Sequence, residues 1–542
     1  MRMRFFRGPL RVTRQAALGS LMLFGLSLGA AAGCSADAAE GSGNWDGGAG
    51  GGYSSGTTDT GYGGTGGAPP ETELESSYGA PVATGKLVWV ANPDSGRVAF
   101  INAETLEISV MDAGNGPEFI AAVPDAKDDV AIVLNTLSLD ATLFRASGST
   151  VTAESFGVPS NGNQWAISSD GHFAIAWTDA RLVKNADPID GYQDVTVIDL
   201  TATDGSSFPL TVGYRPSALG FDAVAKHAFA VTQDGITVIS LDGAPAVTKN
   251  IKLAGGIQDG AVTQDVSITP DGALALLRQE GQSTVGVYSL ATGDHVDVAL
   301  SGPVTDVDLS PDGKVAVAVV REKGEVSLLP IPQIASDPAT FATITVHDAV
   351  VGSASLAKES PFAFLYTNAV ESTILTVLDT SDAQKAPSFF KLWAPIQSVF
   401  PTNDASHAVI LHTPQASGSS QYPAAMSVLP VLADLPAKLQ GLDGVPVSVA
   451  ISPSGHRALV ATGDATDKAY RLYVTEMPSL EVTKITLASQ PISAGIVAGA
   501  DRGYVAQKHP DGRITFIDFK TGEIRTITGF ELGSQVVDGS GE

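Results

Sequence analysis

The chain has 542 residues, 32 lysines and arginines against 58 aspartates and glutamates, and one cysteine. Removing the five arginines of the first 33 residues leaves 27 basic against 58 acidic residues, a charge of −31. So acidic a surface repels phosphate backbones and anionic lipid heads, which excludes a nucleic-acid partner and leaves membrane contact to any attached lipid. A single cysteine excludes an intramolecular disulfide.

Residues 1–33 carry Arg2, Arg4, Arg7, Arg11 and Arg14 and no acid, then an apolar run over 16–30, then Ala31-Ala32-Gly33-Cys34. A basic start, a short apolar stretch and small residues before a cut describe a secretory signal, because the run is too short to stay across a bilayer. A lone cysteine directly after those small residues resembles a bacterial lipobox. That resemblance implies a signal peptide over 1–33, lipidation (palmitate among the acyl chains) at Cys34, and sorting to the outer membrane because Ser35 rather than Asp follows. Acyl chains contribute about 0.8 kcal/mol per buried methylene, so such an anchor hardly dissociates. Residues 34–85 follow as a tether: GGAGGGYSSGTTDTGYGGTGGAPPE lacks the aliphatic residues needed to bury a core. About 50 residues of such coil span roughly 40 Å end to end.

From residue 86 to 542 the chain repeats itself. VSITPDG at 266–272 returns as VDLSPDG at 307–313 and VAISPSG at 449–455, with degenerate copies from Gln164, Ala218 and Ser398. A period of roughly 45 residues marks a repeat architecture. Within each unit the apolar residues alternate or run in fives to sevens between Gly, Pro, Asp and Ser, which is strand periodicity. One unit parses into strands over 304–309, 315–320, 325–329 and 343–347, with Ser310-Pro311-Asp312-Gly313 as the first turn. Proline presets φ and glycine accepts a positive φ, so this tetrapeptide suits a tight turn. Four antiparallel strands repeated about an axis make an all-β propeller of four-stranded blades.

First strands begin near residues 118, 163, 216, 262, 304, 351, 396, 446 and 492. The domain opens with only three strands, at 87–91, 98–102 and 107–111, and ends with a spare piece at 533–537. If that C-terminal strand completes the first blade, the ring closes without a free edge and counts about ten units in a single ring. Val88-Trp89-Val90-Ala91-Asn92 with Arg97-Val98-Ala99-Phe100-Ile101-Asn102 resembles the bacterial YVTN repeat, and 194–199 and 515–518 fit its third strand. The resemblance implies an envelope propeller lipoprotein and no particular chemistry, since the family includes binding proteins, surface-layer proteins and lactonase-like enzymes.

Candidate chemistry is sparse. His172, His227, His407 and His456 all follow the first turn of their units, so they are expected to flank turns on separate, distant blades. Asp265 and Asp306 start first strands, which line the channel, and Asp308 faces the same side; carboxylates there could hold calcium or another divalent cation. No other cofactor is indicated. No nucleophile elbow, P-loop or dinucleotide fingerprint occurs. Connections between second and third strands vary most in length, and long loops gathered on one face of a rigid scaffold carry binding residues. Two are long: 178–193, with Arg181, Lys184 and Tyr192, and 412–425, with Gln421 and Tyr422. The sequence therefore favours a lipid-anchored, non-catalytic binding or scaffold module in the envelope, whose partner is an envelope protein, a glycan or a small ligand. A lactonase-like, metal-dependent hydrolase is the alternative.

Overall fold

The computed structural model describes residues 78–538, apart from 125–126, 149, 184–185, 188, 203–205, 254–263, 415–421, 432–434, 464–467 and 530–535. Ten antiparallel sheets follow one another along the chain. Blades 1 to 10 occupy residues 82–112, 117–157, 164–211, 218–252, 264–299, 306–345, 353–391, 396–442, 445–486 and 491–528. Each is a meander of strands a to d in sequence order, and the only helical segments among the described residues are four 3₁₀ turns.

The repeated turn explains why each blade starts as it does. In blade 6 the Ser310 hydroxyl donates to Asp312 Oδ1 at 2.7 Å and accepts from the Val315 N–H at 3.0 Å, while the Lys314 N–H donates to Asp312 Oδ1 at 3.1 Å. Gly313 sits at φ +71°. Thr269, Ser168 and Thr402 repeat the hydroxyl-to-aspartate bond in blades 5, 3 and 8, onto Asp271, Asp170 and Asp404. The motif thus satisfies its own backbone while reversing the chain between strands a and b.

Ten apolar clusters fill the ten blade interfaces, and their membership shows a single ring. Trp89 of blade 1 packs with Phe144 of blade 2, and Leu459 and Ala461 of blade 9 pack with Val505 and Ile517 of blade 10. The last cluster joins Val497, Tyr504 and Phe516 of blade 10 to Val88, Val90 and Ile101 of blade 1. Polar bonds repeat in the same way. Arg457 at the start of strand b in blade 9 donates from Nη2 to Phe519 O of blade 10, and Arg502 at the start of strand b in blade 10 donates from Nη1 to Ala103 O of blade 1 at 2.6 Å. Blade 1 therefore follows blade 10 as blade 10 follows blade 9.

Closure does not use the C-terminal strand, contrary to the sequence reading. Val82–Ala83 pairs with Leu87–Asn92 and is strand a of blade 1, so the inner edge is already taken. Val536–Asp538 instead pairs with Ile524–Thr528 as a fifth strand on the outer edge of blade 10. The seam between blades 10 and 1 is held by side-chain packing and by three bonds: Arg502 to Ala103 O, Gly499 N–H to Gly85 O at 3.0 Å, and Tyr504 hydroxyl to Pro81 O at 3.3 Å.

Candidate functional site

In such a meander the b–c loops and the connections from strand d to the next strand a emerge on one face, here the loop face, while a–b and c–d turns emerge on the other. The loop face carries the long insertion at 178–193. Asp179 organises it: its carboxylate caps the turn Ala180–Leu182 through the Arg181 N–H and receives the Arg181 guanidinium at 2.8 and 2.6 Å. Arg181 Nη2 then reaches Ser217 O of the next connection at 2.7 Å. Arg215, which the sequence reading missed, clasps the far end of the loop by donating to Asp190 O at 2.9 Å and Asp187 O at 2.6 Å. Arg181 thus fastens the insertion to the neighbouring connection, and its bond to Asp179 raises its proton affinity further. Tyr192 lies at the loop's end with φ +46°. Lys184, Gln421 and Cys34 lie outside the described residues.

The structure brings together two residues singled out for separate reasons. Asp265, at the start of strand a in blade 5, stands close enough to Arg181 for its charge to stabilise the guanidinium. Asp265 is itself held by Arg278, whose Nε and Nη2 approach Oδ2 at 2.9 and 2.5 Å. Arg278, another residue not foreseen, is almost fully buried and also donates to Val304 O at 3.1 Å. Arg278 thus ties strand a of blade 5 to the connection entering blade 6, while Arg181 ties the blade 3 insertion to the connection entering blade 4.

Asp306 and Asp308 do not look into an open channel; both are buried. The reason is the closeness of successive inner strands: Asp306 Oδ2 accepts the Ala354 N–H of blade 7 at 2.9 Å. Ser448, at the equivalent place in blade 9, accepts the Ala494 N–H of blade 10 at 3.0 Å. Asp265, Asp306 and Asp308 do not form a cluster able to hold a metal, and among the described residues no group of three or more histidine, cysteine or acidic side chains does so.

The histidines flank turns as expected, with His227 Nδ1 3.0 Å from Asp222 Oδ2. They are not all distant, however. His407 of blade 8 lies near His456 of blade 9, and its proton affinity is lowered first by burial and further by that neighbour, against the opposing pull of Asp404. Consecutive blades bring equivalent positions side by side, which the repeat spacing does not reveal.

What marks the loop face most is its exposed apolar side chains. Thirteen large hydrophobic residues are exposed among the described ones. Eight belong to loop-face connections: Leu137 and Leu139 of blade 2, Leu182 and Ile189 of blade 3, and Val350, Val370, Trp393 and Tyr422 between the end of blade 6 and blade 8; a ninth, Val445, begins strand a of blade 9 at the same face. Trp393 is 75 % exposed, yet its loop is pinned between buried Leu392 and Ile396. The Leu392 and Ile396 N–H groups donate to Thr373 O and Ser372 O at 2.7 and 2.9 Å. Pro395 O accepts the Thr413 N–H at 3.0 Å and His412 Nδ1 at 3.2 Å. A carbonyl can only accept, so His412 carries its proton on Nδ1 and takes the Ser427 hydroxyl on Nε2 at 2.6 Å. Burial lowers this histidine's proton affinity, against the opposing pull of the Pro395 and Ala394 carbonyls.

These features define a ten-bladed β-propeller with an apolar, firmly anchored loop face. No family model and no curated protein matches the chain. Among solved structures it is similar to "Dihydro-heme d1 dehydrogenase NirN in complex with DHE", at 16 % identity and a TM-score of 0.38 over 74 % of this chain and 73 % of that one. It is also similar to Kuenenia stuttgartiensis hydrazine synthase, at 16 % identity and a TM-score of 0.30 over 76 % of this chain and 95 % of that one. Likenesses this loose carry no argument about ligands or activity. Among the described residues no helix is long and apolar enough to cross a membrane.

Proposed function

We propose that this chain is a lipid-anchored propeller of the bacterial envelope, of YVTN type, that binds a protein partner through its loop face and catalyses no reaction. The observation that carries the reading is Trp393, a tryptophan held out in solvent on a rigid loop. Exposed apolar residues gathered on one face mark interaction surfaces, and tryptophans are the side chains most enriched among binding hot spots. Val350, Val370 and Tyr422 on the neighbouring connections, and Val445 at the start of blade 9, supply further apolar area. The cationic signal, the single Cys34 and the tether at 34–85 support presentation of this face away from an outer-membrane surface.

Two measurements test the reading. Metabolic labelling with an alkynyl fatty acid should tag the protein, and Cys34→Ser should abolish the tag and release the chain from membranes. Quantitative capture from envelope extract should recover the same partner with the native chain and with Val224→Arg on the opposite face, but not with Trp393→Arg. Equal recovery by all three chains would overturn the loop-face assignment.

A further inference from the structure

Blades radiate from the axis, so the gap between neighbouring sheets widens toward the outer strands d. Blades 6 and 8 border such gaps with nearly the same sequence. Ser327-Leu328-Leu329-Pro330 ends strand c of blade 6, and Ser427-Val428-Leu429-Pro430 ends strand c of blade 8. Leu329 faces the gap toward blade 5, and Leu429 the gap toward blade 7. Between blades 5 and 6 the chain fills the gap itself. The connection from strand c to strand d of blade 6 runs over 331–341 and makes a 3₁₀ turn, Gln333–Ala335, against strands c and d of blade 5. Ile334 of that turn is fully buried, with Ile331, Ala335 and Phe341 packed around it. Val298, which pairs with Val285 on strand c of blade 5, belongs to the same cluster and is fully buried too.

The gap between blades 7 and 8 is built differently. The equivalent connection of blade 8 runs only over 431–437, and its Leu435 is exposed where Ile334 is buried. On strand c of blade 7, Leu375 takes the place of Val285, yet its partner Phe390 is only partly buried where Val298 is wholly so. Ser388 shares the side of Phe390 and is exposed. Across the gap, Leu439 pairs with Ser427 as Thr343 pairs with Ser327, and it is 44 % exposed. Gly441, on the same side of that strand, lies under the ring of Tyr422, which an added Cβ would overlap. Among the described residues, the outer strands d of the other eight blades carry no exposed large hydrophobic side chain.

The filled gap shows what chemistry suits the other one. Its occupant is an aliphatic side chain on a single helical turn, with Asp337 shortly after it. The two strands d that border the gap between blades 7 and 8 carry Lys391 and Lys438 and no acidic residue, in a chain of strongly negative charge. Trp393 follows one of these strands and Tyr422 lies over the other, so the gap is continuous with the loop-face surface. We propose that the protein partner of the loop face inserts an aliphatic side chain, carried on a helical turn with acidic flanks, between the outer strands of blades 7 and 8, an assignment that rests on the loop-face reading and names the segment the partner presents.

A photo-crosslinking amino acid placed at Ser388, at Trp393 and at Thr343, in cells making the full chain, tests this, with the crosslinked residues mapped by mass spectrometry. Ser388 and Trp393 should mark the same partner, the Ser388 adduct lying within about one helical turn of an aliphatic residue with acidic neighbours. Thr343, the counterpart of Leu439 beside the filled gap, should mark none of it. Leu439→Thr, which copies blade 6, should keep a native melting curve and lower recovery of that partner about tenfold, the effect of losing one buried aliphatic side chain. No adduct at Trp393 would overturn the loop-face reading and the gap assignment with it. An adduct at Trp393 but none at Ser388, a Ser388 adduct on a segment without an aliphatic residue, the same partner at Thr343, or full recovery by Leu439→Thr would overturn the gap assignment alone.

Discussion

Deleting residues 78–84 should destabilise the ring far more than deleting residues 536–542. The N-terminal deletion removes strand a of blade 1 and strips the seam between blades 10 and 1. Tyr504, whose fully buried hydroxyl is pushed well above its usual titration range, would lose its acceptor Pro81 O. An orphaned buried donor costs about 1–3 kcal/mol. Trp89 Nε1 would lose the Thr84 hydroxyl that accepts it at 3.0 Å, at a similar cost. Tyr78, buried in the seam cluster, would contribute nothing, a loss of roughly 1.5–3 kcal/mol. Together these amount to about 4–9 kcal/mol, or a fall in apparent melting temperature on the order of 10 °C for a large domain. The C-terminal deletion removes three residue pairs from an outer edge and should cost about 1 kcal/mol or less. Differential scanning calorimetry of both deletions separates them. A C-terminal deletion as damaging as the N-terminal one would refute the assignment of the closing strand.

Asp518 accepts the Lys520 and Thr521 N–H groups and the Arg502 guanidinium, with the backbone bond from Thr521 foremost in holding its carboxyl down to about 2. A lowered carboxyl stabilises the fold above its unfolded value of 3.8 and loses that contribution as pH falls toward 2. The gap in urea midpoint between the native chain and Asp518→Asn should therefore shrink between pH 5 and pH 2; a constant gap would contradict the linkage. Asp306→Leu should cost about 1–3 kcal/mol by leaving the Ala354 N–H unsatisfied, whereas Asp306→Ser should cost less, because Ser448 makes that bond in blade 9. Gly313→Ala should destabilise by more than Gly293→Ala, since both have positive φ but only Gly313 is pressed against a neighbour. Thermal melts of the two alanine variants check the order.

Much of the fold was legible because each repeat announces itself twice, in the turn and in the alternation after it. First strands expected near 118, 163, 396 and 492 begin at 117, 164, 396 and 491. Strand a of blade 1 was not legible: Val82–Ala83 is two residues long, too short to show any period. Its omission made Gly533–Val537 look like the missing strand. Ligand-site residues were harder still. The long loop at 178–193 stood out by length, but Arg181 proved to clasp Asp179 and Ser217, a contact between blades that no local pattern encodes. Arg215, Arg278 and Arg502 were missed for the same reason, since each acts across a blade boundary or at the channel. Trp393 carries no motif; only its exposure beside two buried aliphatic neighbours reveals it.

The central claim is that the loop face, and Trp393 within it, meets a partner. A photo-crosslinking amino acid placed at Trp393, at Ile189 on the same face and at Val224 on the opposite one, in cells making the full chain, tests it most directly. The account expects Trp393 and Ile189 to give one shared adduct of defined mass and Val224 to give none of that species. The same adduct from Val224, or no adduct from Trp393, would contradict it.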